Sequence, residues 1–484
     1  MLRQADVVAY DHLVAPQLLR LCPSRARMIY VGKEPKGSSG AQGGINRLLI
    51  REARAGKTVV RLKGGDPFLF GRGGEEALEL AKAKVPFELV PGVTSAIAVP
   101  AYAGIPVTHR TLSSSVAIVT GHEDPDKPES ALRWDRLATA CDTIVGLMGV
   151  STLPGTAAKL IRHGRAPSTP CAVIEWGTWP RQRTVTAPLR SIAAVAKRSG
   201  IRPPAILVVG NVVSLRRRLA WFERKPLFGA RILVTRASEK AAALAEQLEA
   251  LGASVEQLPA IELAPVKANG TFRDAVKAIP GADWVFFTSP EGIGWFSKML
   301  KPYRKDLRVL SGCHLGAIGP KTAGALEERG LHVDFVPRRF SQEGMIDALP
   351  RRLLAGARGF IFSAQESRDV LEAGLRRRGM RVTRVPIYRT AIPAALRDHV
   401  AAMFREPFDY VTVTSASCVE HLTQALRAAG LGRLVPRQRF VSIGPVTSAA
   451  VRMLGGRVIV EARQSTIEGL IEALCKAKRA STSV

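Results

Sequence analysis

Short runs of β-branched and other apolar residues recur along the chain, each ending in Gly or a polar residue and followed by a longer Ala/Leu/Arg-rich stretch of helical period. Thr58-Val59-Val60-Arg61-Leu62 runs into Gly64-Gly65, and Val116 to Thr120 into Gly121. This alternation predicts an α/β protein in which the runs are strands and their ends are turns. Val7 to Tyr10 and Met28 to Val31 are two more such runs, so Asp11 and Lys33 are expected at strand C-termini, where open α/β sheets bind ligands. Ala205 to Val209 is the last run before Arg216-Arg217-Arg218. From Phe222 to Gly229 the pattern breaks into charge, Pro226 and Gly229, and a fresh strand, Arg231 to Thr235, follows. A domain boundary is expected there, since 484 residues exceed what one core accommodates.

The second half repeats itself. Ala230-Arg231 and the strand after it recur 127 residues later at Ala357-Arg358, and Pro259 recurs as Pro386. Thr288-Ser289 recurs as Thr414-Ser415, 126 residues on. Ile318-Gly319-Pro320 with Thr322 recurs as Ile443-Gly444-Pro445 with Thr447, and Glu343-Gly344 as Glu468-Gly469, each 125 residues on. Two similar α/β lobes are expected. Their matched strand ends would make a cleft rich in hydroxyls and in helix N-terminal N–H groups, which suits anions.

Composition is ordinary for a globular protein, at 46% hydrophobic and 23% charged residues, and there is no apolar run of 18 residues to cross a bilayer. Charge is not ordinary: 70 Lys+Arg against 41 Asp+Glu give +29. Residues 1 to 225 carry 33 basic and 17 acidic side chains (+16), and residues 226 to 484 carry 37 and 24 (+13). A tail for nucleic acid would concentrate this excess. Its even spread suits sites for small polyanions, or the general Arg bias of a proteome. Six scattered cysteines without C-x-x-C suggest neither zinc nor a disulfide framework, and no metal is expected; with no signal peptide, they point to the cytoplasm.

One string is more specific: Val60-Arg61-Leu62-Lys63-Gly64-Gly65-Asp66-Pro67-Phe68-Leu69-Phe70-Gly71-Arg72-Gly73-Gly74-Glu75-Glu76. Gly64 and Gly65 remove two Cβ atoms where backbone must approach a ligand, and Asp66 offers an acceptor. With Val90-Pro91-Gly92-Val93-Thr94-Ser95-Ala96, Gly104 to Arg110, and Met148-Gly149, it resembles uroporphyrinogen-III C-methyltransferase, of the tetrapyrrole methylase superfamily, over about residues 5 to 218. The resemblance implies a domain of two α/β subdomains over 1–218 and a homodimer formed through it. It also implies S-adenosyl-L-methionine lying across Gly64, Gly65, Asp66, Leu69, Thr94, Ser95, Met148, Gly177 and Ala205. Asp11 falls at the family's proton acceptor and Lys33 at its proton donor. Arg61, Lys63, Arg72 and Arg110 are candidates for pairing with substrate carboxylates, surface solvation being the plain alternative.

This chain also departs from that family. Members begin with a further strand and a G-x-G-P-G-D loop, and Met1 stands beyond both; either translation starts upstream or the domain has lost its first strand. Gly43-Gly44 replaces a usual pair of glutamates, Ser38 a His, and Trp176 an Asn, which puts the substrate pocket in question more than the fold.

Residues 226 to 475, with Pro226 to Arg236, Phe286-Phe287-Thr288-Ser289, Ala317 to Pro320 and Val385-Pro386-Ile387-Tyr388-Arg389-Thr390, resemble uroporphyrinogen-III synthase. That resemblance implies a two-lobed domain over 229–475, after a linker at 219–228 and before a tail at 476–484. Tyr388 is the candidate to assist departure of the substrate hydroxyl. Thr288, Ser289, Thr322, Thr414, Ser415 and Thr447 are candidate contacts to its carboxylates or pyrroles. Together the two resemblances imply one enzyme that cyclises hydroxymethylbilane to uroporphyrinogen III and methylates that product to precorrin-2, with neither nucleic acid nor membrane as partner. Two alternatives stay open: a methylase half serving as a scaffold, or one acting on RNA.

Overall fold

The computed structural model describes residues 1–32, 40–121, 131–236, 238–266 and 270–482. They divide into two compact units, Met1–Ala230 with Leu251–Ser254, and Arg231–Ala250 with Val255–Val484. Lys33 and Ser38 lie outside the described residues.

The first unit holds two sheets. β1 (Val7–Tyr10), β2 (Arg27–Tyr30) and β3 (Val59–Leu62) form a parallel sheet in the order β2-β1-β3. β4 (Val116–Thr120), β5 (Thr143–Leu147), β6 (Pro170–Glu175), β7 (Arg183–Pro188) and β8 (Ala205–Val209) form the second, in the order β4-β5-β8-β6-β7, with β8 antiparallel to both neighbours. β5 and β8 are buried along their whole length, and a strand covered on both faces reads as an unbroken apolar run such as Ala205-Ile206-Leu207-Val208-Val209. The helix Ser95–Tyr102 packs on the second sheet, burying Ala96 and Val99 against Val145, Leu147, Ile174 and Ile206. Leu69, from the loop after β3, packs on the same cluster.

The first sheet is less well covered. β1 is buried, but Met28 and Tyr30 of β2 are exposed, and residues 86–93 belong to neither strand nor helix, with Phe87, Leu89, Val90 and Val93 exposed. Among the described residues, Phe87 to Val90 have no backbone hydrogen-bond partner. The segment 219–228, expected as a linker, is packed into the first unit instead. Phe222 and Leu227 are buried, Tyr102, Trp221, Phe222 and Phe228 make edge and tilted ring contacts, and Trp221 Nε1 donates to the Ala101 carbonyl. The charges and Pro226 suggested a linker; the aromatic residues between them decided the packing.

The second unit has two five-stranded sheets. β9 (Arg231–Val234), β10 (Ser254–Gln257), β16 (Tyr410–Val413), β17 (Arg439–Ser442) and β18 (Arg457–Glu461) are ordered β10-β9-β16-β17-β18. β11 (Glu262–Pro265), β12 (Trp284–Phe287), β13 (His314–Ala317), β14 (Arg358–Ala364) and β15 (Arg381–Ala391) are ordered β11-β15-β14-β12-β13. The 125–127-residue offset maps β9, β10, β16 and β17 onto β14, β15, β12 and β13. Each lobe therefore combines strands from both copies of the repeat, so the two lobes are not the two successive halves of this unit. An offset reports equivalent positions; it does not say which copy supplies the neighbouring strand. The cores differ in kind: Phe272, Phe287, Phe296 and Phe362 dominate one, Leu233, Val411, Val413, Val419 and Leu422 the other.

Candidate active sites

In the first unit the strand ends converge as the alternation predicts. Asp11 follows β1, and its Oδ1 accepts from Leu13 N at 3.1 Å, fixing the turn. Its Oδ2 is 3.5 Å from Arg61 Nη2. Arg61 also reaches Glu76 Oε1 (3.4 Å) and donates to the Leu62 carbonyl (2.9 Å). Lys63 Nζ lies 3.4 Å from that same oxygen, and Gln42 Nε2 donates to it at 3.0 Å. Arg61 and Lys63 are thus mostly withdrawn from solvent around a buried carboxylate, and burial together with the neighbouring guanidinium pulls the Lys63 pKa below its usual value. Arg72 pairs with Glu75 at 2.6 Å. Arg110 is exposed, with no ion pair among the described residues.

The loop after β3 is organised by Asp66. Oδ1 accepts from Phe68 N (2.8 Å) and Leu69 N (3.1 Å), and Oδ2 from Gly92 N (2.9 Å). These backbone donors, Gly92 first, hold its carboxyl below the usual range. Gly65 turns at φ +77°, a conformation that glycine adopts without cost, and a Cβ on Gly92 would overlap the Gly65 carbonyl oxygen. Gly64 packs on the Leu13 turn, where a Cβ would meet the Leu13 carbonyl at 3.2 Å. Thr94 caps the Ser95–Tyr102 helix, its Oγ1 accepting from Ala96 N at 3.3 Å. Gly64, Gly65, Asp66, Thr94 and Ser95 are therefore one assembly of cross-tied loops.

At the second sheet, Met148 follows β5, Trp176 and Gly177 follow β6, and Ala205 opens the antiparallel β8 between them, so all lie at one edge. Met148 (φ +56°) and Trp176 (φ +47°) both have left-handed backbones, and Met148 is half exposed. Gly177 sits against Val99 of the Ser95–Tyr102 helix with no room for a Cβ. Arg181 stacks over the Trp176 ring.

In the second unit Ser289 and Ser415 are helix caps: Ser289 Oγ accepts from Gly292 N at 3.1 Å and Ser415 Oγ from Cys418 N at 3.3 Å. Tyr388, near the end of β15, is buried, with its hydroxyl 2.9 Å from Ser289 Oγ. Burial first, then Glu291 and Glu366, raise its pKa above 10.0, against the Ser289 hydrogen bond. Thr288 lies beside this pair and is bonded to the Phe362 carbonyl at 3.5 Å. Thr322 and Thr447 occupy matching first-turn positions in the helices Pro320–Glu327 and Pro445–Met453, and both are buried. Thr414, Ser415 and Thr447 belong to the other lobe.

The reading of the sequence missed Glu76, Gln42 and the role of Gly92. Glu76 was visible as an acid in a helix first turn, but nothing in one sequence says that it is buried beside two cations. Burial raises the thiol pKa of Cys141, Cys171, Cys313 and Cys475, that of Cys171 to about 12, which makes none of the four an activated nucleophile. No described helix is long and apolar enough to cross a membrane.

Residues 1–193 match the family described as tetrapyrrole (corrin/porphyrin) methylases, and residues 242–472 the family described as uroporphyrinogen-III synthase HemD. Over 475 residues the chain is 38% identical to the porphyrin biosynthesis protein HemD of Ruminiclostridium josui, covering 98% of this chain and 93% of that one. It is 52% identical over 215 residues to an S-adenosyl-L-methionine-dependent uroporphyrinogen III methyltransferase of Methanosarcina barkeri, covering 44% of this chain and 84% of that protein. A crystal structure of the Thermus thermophilus uroporphyrin-III C-methyl transferase with S-adenyl homocysteine is 41% identical, covering 44% of this chain and 89% of that one with a TM-score of 0.38. The chain belongs to the family of the Ruminiclostridium josui protein, with a tetrapyrrole methylase as its first part and a uroporphyrinogen-III synthase as its second.

Proposed function

We propose that the chain carries out two consecutive steps of tetrapyrrole biosynthesis. The second unit closes hydroxymethylbilane to uroporphyrinogen III, and the first methylates that product to precorrin-2, on the branch toward sirohaem and cobalamin. The observation that carries this reading is the pairing itself: the product of one family is the substrate of the other, and both family matches lie in one chain.

The glycine-lined strand ends fit S-adenosyl-L-methionine. Gly64, Gly65, Asp66, Leu69, Thr94, Ser95, Met148, Gly177 and Ala205 would hold it, and when bound it supplies an electrophilic methyl group. The chain's own task is to orient the pyrrole carbon and to manage one proton. Asp11 accepts that proton. Arg61, tied to Glu76, keeps the Asp11 carboxylate aimed, and so acts as a positioning residue together with Lys63. Arg110 is the cation left for a substrate carboxylate. Lys33 is the proposed proton donor.

Ring closure needs a flexible, many-charged chain held folded while its hydroxyl leaves. Hydroxyls at Thr288, Ser289, Thr414 and Ser415, with the helix N-termini beside them, supply donors. Thr322 and Thr447 orient the turns from beneath. The Tyr388 O–H donates to the departing hydroxyl, which leaves as water; its raised pKa keeps the proton in place beforehand.

The first unit pairs with a second copy, a reading supported by exposed Tyr30, Leu78, Phe87 and Val90. The cytoplasm is the compartment, in keeping with six free cysteines. Two measurements on the whole chain test the two halves separately. Calorimetric titration with S-adenosyl-L-methionine is expected to show one site per chain, and hydroxymethylbilane alone is expected to give the macrocycle with its last ring inverted. Absence of heat removes the first half of the proposal; an uninverted product removes the second.

A further inference from the structure

The two lobes of the second unit provide an internal control, because their backbones match at the strand N-termini as well as at the C-termini discussed above. Arg231 opens β9 and Arg358 opens β14. Arg231 N donates to Asp409 Oδ2 at 2.8 Å, and Arg358 N to Asp283 Oδ2 at 2.7 Å. Ser254 N donates to the Ala230 carbonyl and Arg381 N to the Ala357 carbonyl, both at 2.8 Å. The donors and acceptors of these two bonds are each 127 residues apart, so the frames are equivalent and only the side chains differ.

In the first lobe the charge of Arg231 is consumed. Its Nε donates to Glu256 Oε1 at 2.9 Å, its Nη atoms reach the Met403 and Pro407 carbonyls at 3.2 and 3.1 Å, and its guanidinium lies 4.0 Å over the Phe408 ring. In the other lobe Thr383 stands where Glu256 would be, and Arg381 stands where Ser254 would be. The first set sums to zero (Arg231, Glu256, Ser254) and the second to +2 (Arg358, Thr383, Arg381). Among the described residues neither Arg358 nor Arg381 has an ion-pair partner, although the two lie side by side in register on adjacent strands. Arg381 Nη2 donates to the Gly356 carbonyl at 3.3 Å. Arg376 is nearby but already neutralised, 2.6 Å from Glu372.

These side chains are exposed, and together they border one depression of the surface. Arg358, Arg376, Arg381 and Thr383 line a cavity of about 470 Å³, with Gly281 and Met380 among its other walls. That volume lies in the range of small-molecule sites, roughly 300–1,000 Å³. Two guanidinium groups carried by paired strand positions, with no ion-pair partner among the described residues, offer planar donors that a molecule with more than one oxyanion group can match. The cavity sits at the strand N-termini, whereas Tyr388 and Ser289 sit at the C-terminal edge. The seven residues of β14 separate the two by about 20 Å, at ~3.3 Å per residue.

We infer that this cavity is a binding site for a small molecule bearing two or more oxyanion groups, separate from the ring-closing site and occupied independently of it. The inference does not rest on the functional proposal above. Its test uses the first lobe as a template: Thr383→Glu restores the carboxylate that neutralises Arg231 in the equivalent place. Isothermal titration of the full chain with inorganic pyrophosphate, and separately with citrate, is expected to show one saturable site per chain for at least one of the two. Pyrophosphate alone identifies a phosphate-type ligand, citrate alone a carboxylate type, and both a site that reads charge spacing. Thr383→Glu is expected to weaken binding at least tenfold, and Arg358→Gln with Arg381→Gln likewise, while the melting temperature of Thr383→Glu equals or exceeds that of the unmodified chain. Binding that survives Thr383→Glu unchanged would reflect the overall charge of the protein and overturn the inference, as would absence of binding by either anion.

Discussion

The two units secure their candidate groups in different ways. In the first, one carboxylate, Asp66, cross-ties two loops through three backbone N–H groups, and glycines stand where a Cβ would not fit. Phe70 and Arg72 of these loops, and Met148, Trp176 and Thr178 at the facing edge of β5 and β6, have left-handed backbones, against Arg304 alone among the described non-glycine residues of the second unit. In the second, hydroxyls in helix first turns do the holding, and the arrangement is built twice. Unfavourable backbone persists where surrounding structure over-determines it. Methyl transfer demands that two atoms meet along one line, so loop position is everything there; ring closure demands that a long flexible substrate stay folded, which repeated donors accomplish without such precision.

The sharpest way to break this contrast is Gly92→Ala. Forcing a Cβ against the Gly65 carbonyl displaces both loops, and a displacement of about 1 Å costs on the order of 100-fold or more in rate. Methyl transfer is expected to fall by at least that much and ring closure to stay within about twofold; equal losses in both would show that the units are not separate in function. Asp11→Asn comes next, with methyl transfer reduced by about 100-fold as for loss of a general base and S-adenosyl-L-methionine affinity unchanged by calorimetry. A rate equal to that of the unmodified chain removes Asp11 as proton acceptor. Tyr388→Phe is expected to slow ring closure by roughly tenfold, at the low end for loss of one general acid, because the substrate expels its own hydroxyl readily, and to leave methyl transfer of added uroporphyrinogen III untouched.

The smallest effect is one of pH. Burial raises the Tyr388 pKa above 10.0, so its contribution is complete below the ordinary tyrosine value and disappears as pH rises through the higher, folded value. Ring closure by the intact chain is expected to hold to about pH 10 and decline beyond it. Ser289→Ala removes the hydrogen bond that favours the phenolate, so the decline moves to higher pH still; a shift to lower pH would contradict the assigned direction.

The strands, the repeat and the placement of Asp11, Gly64 and Gly65 at strand ends were legible because each follows from local chemistry: apolar runs, turns needing glycine, and self-similarity at a constant offset; Tyr388 stood out only through the resemblance to the synthase family. The exchange of strands between lobes was not, since β9 and β14 look alike whichever partner they take. Nor was the pairing of Arg61 and Lys63 with Glu76, which depends on a helix packing back over β3. The string from Val60 to Glu76 contained all three residues, yet spacing along a chain carries no information about which cations a buried carboxylate will gather. Trp221 and Phe222 show the converse error, in which charge and proline outweighed the two aromatics that anchor the segment.

The central claim is that one chain makes uroporphyrinogen III and then methylates it. The direct measurement supplies the purified protein with hydroxymethylbilane, with and without S-adenosyl-L-methionine, and identifies the products by chromatography and mass spectrometry. The account predicts ring-inverted uroporphyrinogen III without the methyl donor and its methylated derivative, precorrin-2, with it. An uninverted macrocycle, or a ring-inverted product that gains no methyl group, would contradict it.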